Sequence, residues 1–209
     1  NLQRHAQNWP TADDLRSCVK SGNPQRGRDH VGAGHDTDGS RHLMERIDAG
    51  TPERPLNIVI WGGQTDLAQA LSQVKKERGA AAFADWTKKF RVYDIDDQDR
   101  LADWMRGEFP GLNYLLAKSP PGVDKRRGTY RGMYLTGDEA LTSRAWIQDN
   151  IRPHGPLGAL YPLKTSTGPN PHACMKEGDT PSWFFFLPMG GNDPDDPTRK
   201  QIIPLAEEM

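Results

Sequence analysis

Short apolar runs alternate with longer polar stretches along most of this chain. Four short, mostly apolar runs predict strands, at 56–61, 90–95, 112–117 and 182–187. Between and around them, spaced apolar positions predict helices, at about 65–76, 80–88, 96–109 and 138–150. Strands that alternate with helices pair in parallel through right-handed crossovers. The pattern therefore predicts an α/β layered domain.

The part of the chain before the first strand also has helical signals. Thr11, followed by two acidic residues, predicts the start of a helix that runs to about Lys20. A polar loop at 23–38 then leads to a second helix that starts near Gly39 and ends at about Gly50. The first strand, 56–61, has no polar alternation except Asn57, which is typical of a strand buried on both faces.

Composition narrows the class of protein. The chain has 209 residues, 35% hydrophobic and 26% charged residues, and a formal net charge of −1. This balance gives no basic surface for a nucleic acid polymer or a membrane, and no apolar run is long enough to cross a bilayer. We expect one domain over 1–209. Cys18 and Cys174 lie far apart, and the sequence leaves open whether they form a disulfide.

Three polar clusters follow predicted strands, and they point to a binding site. They occupy 62–66, 94–99 and 190–193. In open α/β sheets, ligands bind beyond the carboxyl ends of the strands, where such clusters converge. We therefore expect the functional residues to lie in these three stretches.

The first cluster contains the glycine pair Gly62-Gly63 between a strand and a helix. It has neither the spacing and lysine of a phosphate-binding Walker A loop nor a GxGxxG dinucleotide fingerprint. Two interpretations stay open. The glycines could free a backbone carbonyl, such as that of Thr65, to bind a hard cation such as calcium. Alternatively, this is a tight turn in which Thr65 or Asp66 caps the helix.

The second cluster places four carboxylates in six residues, 94–99. Crowded like charges are costly unless they are solvated, paired or bound to a cation. Asp96 and Asp97 could instead cap a helix that starts here. Gln98 and Asp99 carry groups that hydrogen-bond sugar hydroxyls.

The remaining candidates are of the same kind. In the third cluster, Asp193 is placed to bind a metal and Asn192 to contact a substrate, although an acidic, proline-rich turn also explains them. The segment 34–40 lacks the acidic spacing of an EF-hand, so a polar turn before a helix explains it better. Among six tryptophans, Trp61, Trp104 and Trp183 could stack on sugars or pack in the core.

Several longer segments together resemble a known family. These are 9–23, 31–40, 54–71, 90–116, 130–134, 150–162 and 177–197, including "EGDTPS" and "HGPLGALYP". They resemble the nucleoside hydrolase-like domain of bacterial and fungal proteins described as cellulose-binding. That family is related to nucleoside hydrolases, which cleave the N-glycosidic bond of ribonucleosides with calcium.

The resemblance implies a doubly wound, mostly parallel sheet with helices on both faces. It implies that Thr65 and Asp193 bind calcium. It also implies that the substrate-binding residues are His35, Asp38, Asp97, Gln98, Asp99 and Asn192. The expected partner is a sugar-containing small molecule or a polysaccharide, and we expect a secreted or periplasmic location.

Two departures from nucleoside hydrolases bear on activity. The acidic DxDxxxDD motif, which supplies their main calcium ligands and the base, does not precede the first strand of this chain. Asn192 stands at the position of the histidine that protonates their leaving group. We therefore expect a fold incomplete at both ends, and we expect its protein partner to be a complementary N-terminal fragment or further copies in a homo-oligomer. Two functions stay open: calcium-assisted hydrolysis of an N- or O-glycosidic bond in a complete protein, or carbohydrate binding without catalysis.

Overall fold

The structure, a computed structural model, describes residues 7–123, 139–163 and 179–187. Three strands and six α-helices lie in these ranges. The strands are β1 (Leu56–Ile60), β2 (Phe90–Ile95) and β3 (Tyr114–Ala117). The α-helices are α1 (Ala12–Cys18), α2 (Asp38–Asp48), α3 (Thr65–Thr87), α4 (Ala102–Glu108), α5 (Arg144–Asn150) and α6 (Gly155–Leu160). Short 3₁₀ helices occupy Arg28–His30, Glu139–Thr142 and Thr180–Phe186.

The three strands form one sheet in the order β1-β2-β3. The Val92 N–H donates to the Asn113 carbonyl (2.9 Å), and the Asp96 N–H donates to the Ala117 carbonyl (2.9 Å). Both bonds advance by four residues in the same direction on each strand, which is the register of a parallel pair. The predicted α/β fold with a parallel sheet is confirmed.

Burial differs between the strands in a way the sequence did not indicate. Central β2 is buried at five of its six positions, as expected for a strand covered on both faces. The prediction of the same burial for the first strand is wrong, because only Ile60 of β1 is buried and Asn57 is exposed. β1 is an edge strand of the described sheet, whereas β2 has a described strand on each side.

The chain divides into two compact units. The first comprises Asn1–Val92 and Asp97–Tyr114, and the second comprises Tyr93–Asp96 and Leu115–Met209. The expectation of one domain over 1–209 stays a prediction.

The first unit contains the main hydrophobic core. Helix α3 contributes one face to it, and α2 packs against α3. Aromatic rings stack around the end of α3: Phe83 lies 5.5 Å from Phe109, and Trp86 lies 5.2 Å from Phe90 between ring centroids. Such rings bury large apolar areas and are the main source of hydrophobic stabilisation in a core of this size. The core fixes where α3 begins, and therefore where the residues of its first turn lie.

In the second unit, the prediction of a fourth strand at 182–187 is wrong. Residues Thr180–Phe186 form a 3₁₀ helix, in which the Ser182 N–H donates to the Asp179 carbonyl (3.0 Å). Ser182 and Phe185 are both buried, and a spacing of three is the period of a 3₁₀ helix rather than of a strand. Pro181 favours this outcome because its fixed φ suits a 3₁₀ turn and it has no N–H for a sheet ladder. The Phe185 ring packs on Tyr93, with centroids 5.1 Å apart.

Two helix boundaries also depart from the prediction. The helix predicted at 96–109 begins only at Ala102, because Asp97 (φ 52°) and Arg100 (φ 59°) adopt left-handed backbone angles that a helix cannot contain. The separate helices predicted at 65–76 and 80–88 form α3, which is interrupted at Gly79 (φ 77°). Glycine adopts this angle without strain, so the interruption falls where a glycine stands.

The beginning of the chain follows the sequence signals. Thr11 caps α1 and Asp14 completes a capping box, while Thr37 and Ser40 form a similar pair at the start of α2. Cys18, at the end of α1, is an exposed free thiol, and Cys174 lies outside the described residues. Among the described helices, none is long and apolar enough to span a bilayer.

Asp48 at the end of α2 ties this helix to α3. Both of its carboxylate oxygens accept hydrogen bonds from the Arg78 guanidinium (2.6 and 2.7 Å), and one also accepts from the Trp86 indole N–H (2.8 Å). The hydrogen bonds from Arg78 are the main reason that the pKa of Asp48 lies below its usual 3.8, and partial burial opposes them. The charged form is therefore the one that stabilises the fold.

We expect Asp48→Asn to lower the free energy of unfolding at pH 7 by about 1 kcal/mol, a modest loss because the pair is partly exposed to solvent. A pKa that is depressed on folding adds stability above the unfolded pKa and loses it as pH falls through the folded value. The difference between wild type and variant, measured by urea denaturation, should thus shrink below about pH 4. Asp103→Asn, at an exposed aspartate 3.9 Å from Arg106, is the control and should show no such convergence. A difference that is constant with pH would contradict this assignment.

Candidate functional site

The candidate site lies in the first unit, where β1 ends and α3 begins. Trp61, Gly62 and Gly63 follow β1, and Thr65 is the first residue of α3. Residues 97–99, which lie in the same unit before α4, contact this segment. The two clusters that were predicted to converge, 62–66 and 94–99, are therefore brought together at residues 97–99.

The central contact of the site is the carboxylate of Asp99. Its Oδ2 accepts hydrogen bonds from the Thr65 backbone N–H (3.0 Å) and from the Thr65 hydroxyl. The Asp99 N–H in turn donates to Gln64 Oε1 (3.1 Å). Helix N-termini carry unpaired N–H groups and partial positive charge, so a carboxylate is stabilised there. Asp99 thus supplies the capping hydrogen bond for α3, which Thr65 or Asp66 had been expected to supply.

Gly63 is required for this contact. A Cβ atom at position 63 would overlap the Asp99 carboxylate, whereas one at Gly62 would meet nothing within 4 Å. The close approach that the glycine pair makes possible is therefore to a side chain of the protein itself. Only the second glycine of the pair is needed for it.

The second carboxylate oxygen of Asp99, Oδ1, lacks a hydrogen-bond donor among the described residues. Asp99 Oδ1 is buried and has no hydrogen-bond partner among the described residues. Its nearest cation is Arg26, whose Nε lies 3.8 Å away and whose side chain is 61% exposed, while that of Asp99 is 1% exposed. Buried acceptors normally have a donor, so Oδ1 is a candidate to accept one from a ligand.

Asp97 and Gln98 are also bound to the segment that follows β1. Asp97 Oδ1 accepts from Gln64 Nε2 (2.7 Å) and from the N–H of Ala102 (2.9 Å) at the start of α4. Asp97 therefore does cap a helix, but the N–H that it binds is that of Ala102, five residues further along the chain. Gln98 Nε2 donates to the Trp61 carbonyl (2.8 Å).

The polar loop before α2 is held by the first turns of α3. The Asp66 carboxylate accepts from the Asn23 N–H (3.1 Å) and from the Thr37 hydroxyl. The Gly32 N–H donates to Gln69 Oε1 (2.7 Å), and the Gly27 N–H donates to Thr65 Oγ1 (3.0 Å). Sequence reasoning missed Gln69 altogether, because a glutamine inside a helical pattern carries no signal of a long-range contact.

Two other predicted substrate-binding residues lie at the end of this loop and at the start of α2, and the structure describes other contacts for them. His35 has its ring 5.8 Å from that of His30, edge to face. Asp38 is in the first turn of α2, is largely exposed, and pairs with Arg41 (2.8 Å). Their role in substrate binding stays a prediction. Asn192 and Asp193 lie outside the described residues.

The tryptophans divide into two groups. Trp104 packs beside the hydrophobic core, with the guanidinium of Arg28 4.5 Å from its ring centre. Trp61 and Trp183 are 42% and 43% exposed, and Trp9 is 46% exposed. Of the exposed three, Trp61 directly follows the carboxyl end of a sheet strand.

The described residues include only part of the predicted calcium site. Within the described ranges, no three His, Cys, Asp or Glu side chains lie close enough to hold a metal ion. The predicted ligand at Thr65 is its backbone carbonyl, and the other predicted ligand, Asp193, lies outside the described residues. Calcium binding by Thr65 and Asp193 therefore stays a prediction.

Comparison with known proteins agrees with the fold and with the resemblance. A solved structure of a nucleoside hydrolase-related hypothetical protein from Saccharophagus degradans, associated with carbohydrate metabolism, matches with a TM-score of 0.67 and 32% sequence identity. The match covers 92% of this chain and 41% of that one. The fold is therefore nucleoside hydrolase-like.

The family model "Cellulose-binding Sde182, nucleoside hydrolase-like domain" matches residues 1–201. The chain belongs to this family, as its sequence motifs indicated. A search of curated proteins gave no match. Because this chain spans 41% of the length of the Saccharophagus protein, the activity and substrates of that whole protein come to it only as proposals.

We expect Gly63→Ala to destabilise the first unit by about 2–3 kcal/mol, because overpacking forces the buried Asp99 carboxylate away from Thr65. Gly62→Ala is the matched control, since it adds the same methyl group one residue earlier into open space, and it should change stability by less than about 1 kcal/mol. Urea denaturation of both variants measures the difference. Equal effects at the two positions would contradict the role assigned to Gly63.

Proposed function

We propose that this chain is a carbohydrate-binding domain that uses a nucleoside hydrolase-like fold to present a tryptophan to a glycan. The observation that carries the proposal is the exposed indole of Trp61 at the carboxyl end of β1. Ligands of open α/β sheets bind beyond this end of the strands. The family description, which includes cellulose binding, and the carbohydrate association of the Saccharophagus protein support the same class of ligand.

The chemistry of an exposed indole suits a sugar ring. A tryptophan has a large apolar face and one polar N–H, so water covers its face at a cost. The C–H groups on one side of a pyranose ring present a flat apolar surface that can replace this water. Cellulose and its oligosaccharides expose such surfaces on every glucose unit, and they are the ligands we propose.

The state of the nearby carboxylates favours binding over catalysis. A general acid or base must lie within hydrogen-bond reach of the reacting group, and its proton must be free to move. Asp97 Oδ1 is bound to Gln64 and Ala102, and Asp99 Oδ2 is bound to Thr65. Each of these carboxylates therefore already has one oxygen in hydrogen bonds that hold the start of α3 or α4, which favours a structural role for both.

One observation supports hydrolysis as a second candidate. Asp99 Oδ1 is buried with no hydrogen-bond partner among the described residues, and a sugar hydroxyl or a cation would satisfy it. This candidate is the calcium-assisted cleavage of an N- or O-glycosidic bond in a more complete protein, with Thr65 and Asp193 as calcium ligands. We derive no step through the metal, because the described residues alone do not supply its ligand set.

We expect the chain to bind cellulose and cello-oligosaccharides, and Trp61→Ala to weaken binding by about tenfold or more in Kd, because it removes about 1.5 kcal/mol of apolar contact. Retention on microcrystalline cellulose and calorimetry with cellohexaose measure this. Trp9→Ala is the control, since Trp9 has nearly the same exposure and should leave the Kd unchanged. If microcrystalline cellulose does not retain the wild-type chain, the proposal that the chain binds cellulose is rejected.

We also expect binding without turnover. Inosine, uridine and 4-nitrophenyl glycosides should remain intact when incubated with the chain, with calcium or with a chelator. The products would be followed by chromatography and by absorbance. Release of base or nitrophenol that depends on calcium, and that Asp99→Asn abolishes, would contradict this expectation. The chain would then be a hydrolase.

A further inference from the structure

We propose that Asp97, Gln98 and Asp99 are positioning residues for Trp61 and do not themselves contact the glycan. The inference rests on the proposed function for its ligand, but the geometry that supports it belongs to the free protein. It reassigns three residues that the family resemblance places in the sugar-binding site.

The first step of the argument is the pairing between two short segments. Three consecutive side chains, 97–99, engage the segment 61–65 nearly residue by residue. Gln98 binds the Trp61 carbonyl, Asp97 binds the Gln64 amide, and Asp99 binds Thr65 while it lies over Gly63. Every residue of 61–65 except Gly62 is therefore fixed from the turn after β2.

The second step is the backbone that aims these side chains. Asp97 and Arg100 both have left-handed φ angles, 52° and 59°. Such angles cost energy for residues other than glycine and persist only when the surroundings impose them. Here they make a tight turn whose intervening side chains, Gln98 and Asp99, reach back to the segment that follows β1.

The third step is the availability of polar atoms. Asp99 uses Oδ2 to accept from the N–H and the hydroxyl of Thr65, and its side chain is only 1% exposed. The Gln98 amide donates to the Trp61 carbonyl, and Asp97 Oδ1 accepts from Gln64 Nε2 and from the N–H of Ala102. The groups that the resemblance assigns to sugar hydroxyls are thus used to hold the backbone that carries an exposed indole.

Gln98 is the most direct place to test this. Its one described hydrogen bond goes to Trp61, and it is not part of the hydrophobic core. Gln98→Ala removes that bond. Gln98→Glu keeps the length and shape of the side chain but replaces the donor with an acceptor that cannot bind a carbonyl.

The experiment uses the chain labelled with 5-fluorotryptophan and followed by ¹⁹F NMR, with Trp61→Phe to assign the Trp61 resonance. In the free protein, both Gln98 variants should shift or broaden this resonance and leave the other tryptophan signals unchanged. The urea midpoint should stay close to that of wild type. Cellohexaose should bind both variants about 2- to 10-fold more weakly, the range expected from loss of one ordering hydrogen bond.

Gln73→Ala is the matched control, because it removes a glutamine side chain that bonds to Glu77 on α3 instead. It should leave both the Trp61 resonance and the affinity unchanged. Weaker binding by the Gln98 variants with an unchanged Trp61 resonance would overturn the proposal in favour of direct contact with the glycan. An unchanged resonance with unchanged affinity would overturn it as well.

Failure of the proposed function gives a different result. If wild type binds no cellohexaose, the carbohydrate assignment fails, while the Trp61 resonance in the unliganded Gln98 variants still decides whether the turn positions the indole.

Discussion

The carboxylate of Asp99 binds the first turn of α3, and much of the described first unit depends on that contact. An acidic group at a helix N-terminus, with hydrogen bonds to a backbone N–H and a hydroxyl, is stabilised by both charge and geometry. Once the start of α3 is fixed, Asp66 and Gln69 are placed to bind the loop at 22–37. The same helix carries the apolar face that forms the core with α2 and β2. One contact therefore links the sheet end, the polar loop and the core.

Local signals in the sequence predicted most of the described elements. All three strands appear within a residue or two of the expected positions, as do the capped helices α1 and α2, because their signals lie inside the elements themselves. The errors came where distant residues decide the structure. The cap of α3 is a side chain 34 residues further along the chain, and the left-handed angles at Asp97 and Arg100 delay α4. The run at 182–187 is apolar enough for a strand, yet Pro181 and the burial of Ser182 and Phe185 favour a 3₁₀ helix.

The candidate site was predictable in place but not in detail. The rule that ligands lie beyond strand ends correctly pointed to 62–66 and 94–99, and the structure brings residues from both stretches into contact. Which atoms remain available could not be deduced, because it depends on side-chain pairing across 35 residues. Nor does the sequence tell an exposed tryptophan from a buried one, since Trp61 is 42% exposed whereas Trp104 packs beside the core.

The acidic stretch at 94–99 had raised the question of what offsets so many carboxylates in a short segment. For two of them the structure gives an answer within the protein. Asp97 faces the first N–H of α4, and Asp99 faces the first N–H of α3, so each charge meets the positive end of a helix, and Arg26 adds a cation near Asp99. Groups of the protein itself therefore offset part of the charge of these two carboxylates. Asp99 Oδ1 has no donor among the described residues, which is a cost, and the hydrogen bonds from Thr65 to Oδ2 offset it and hold the turn against Gly63.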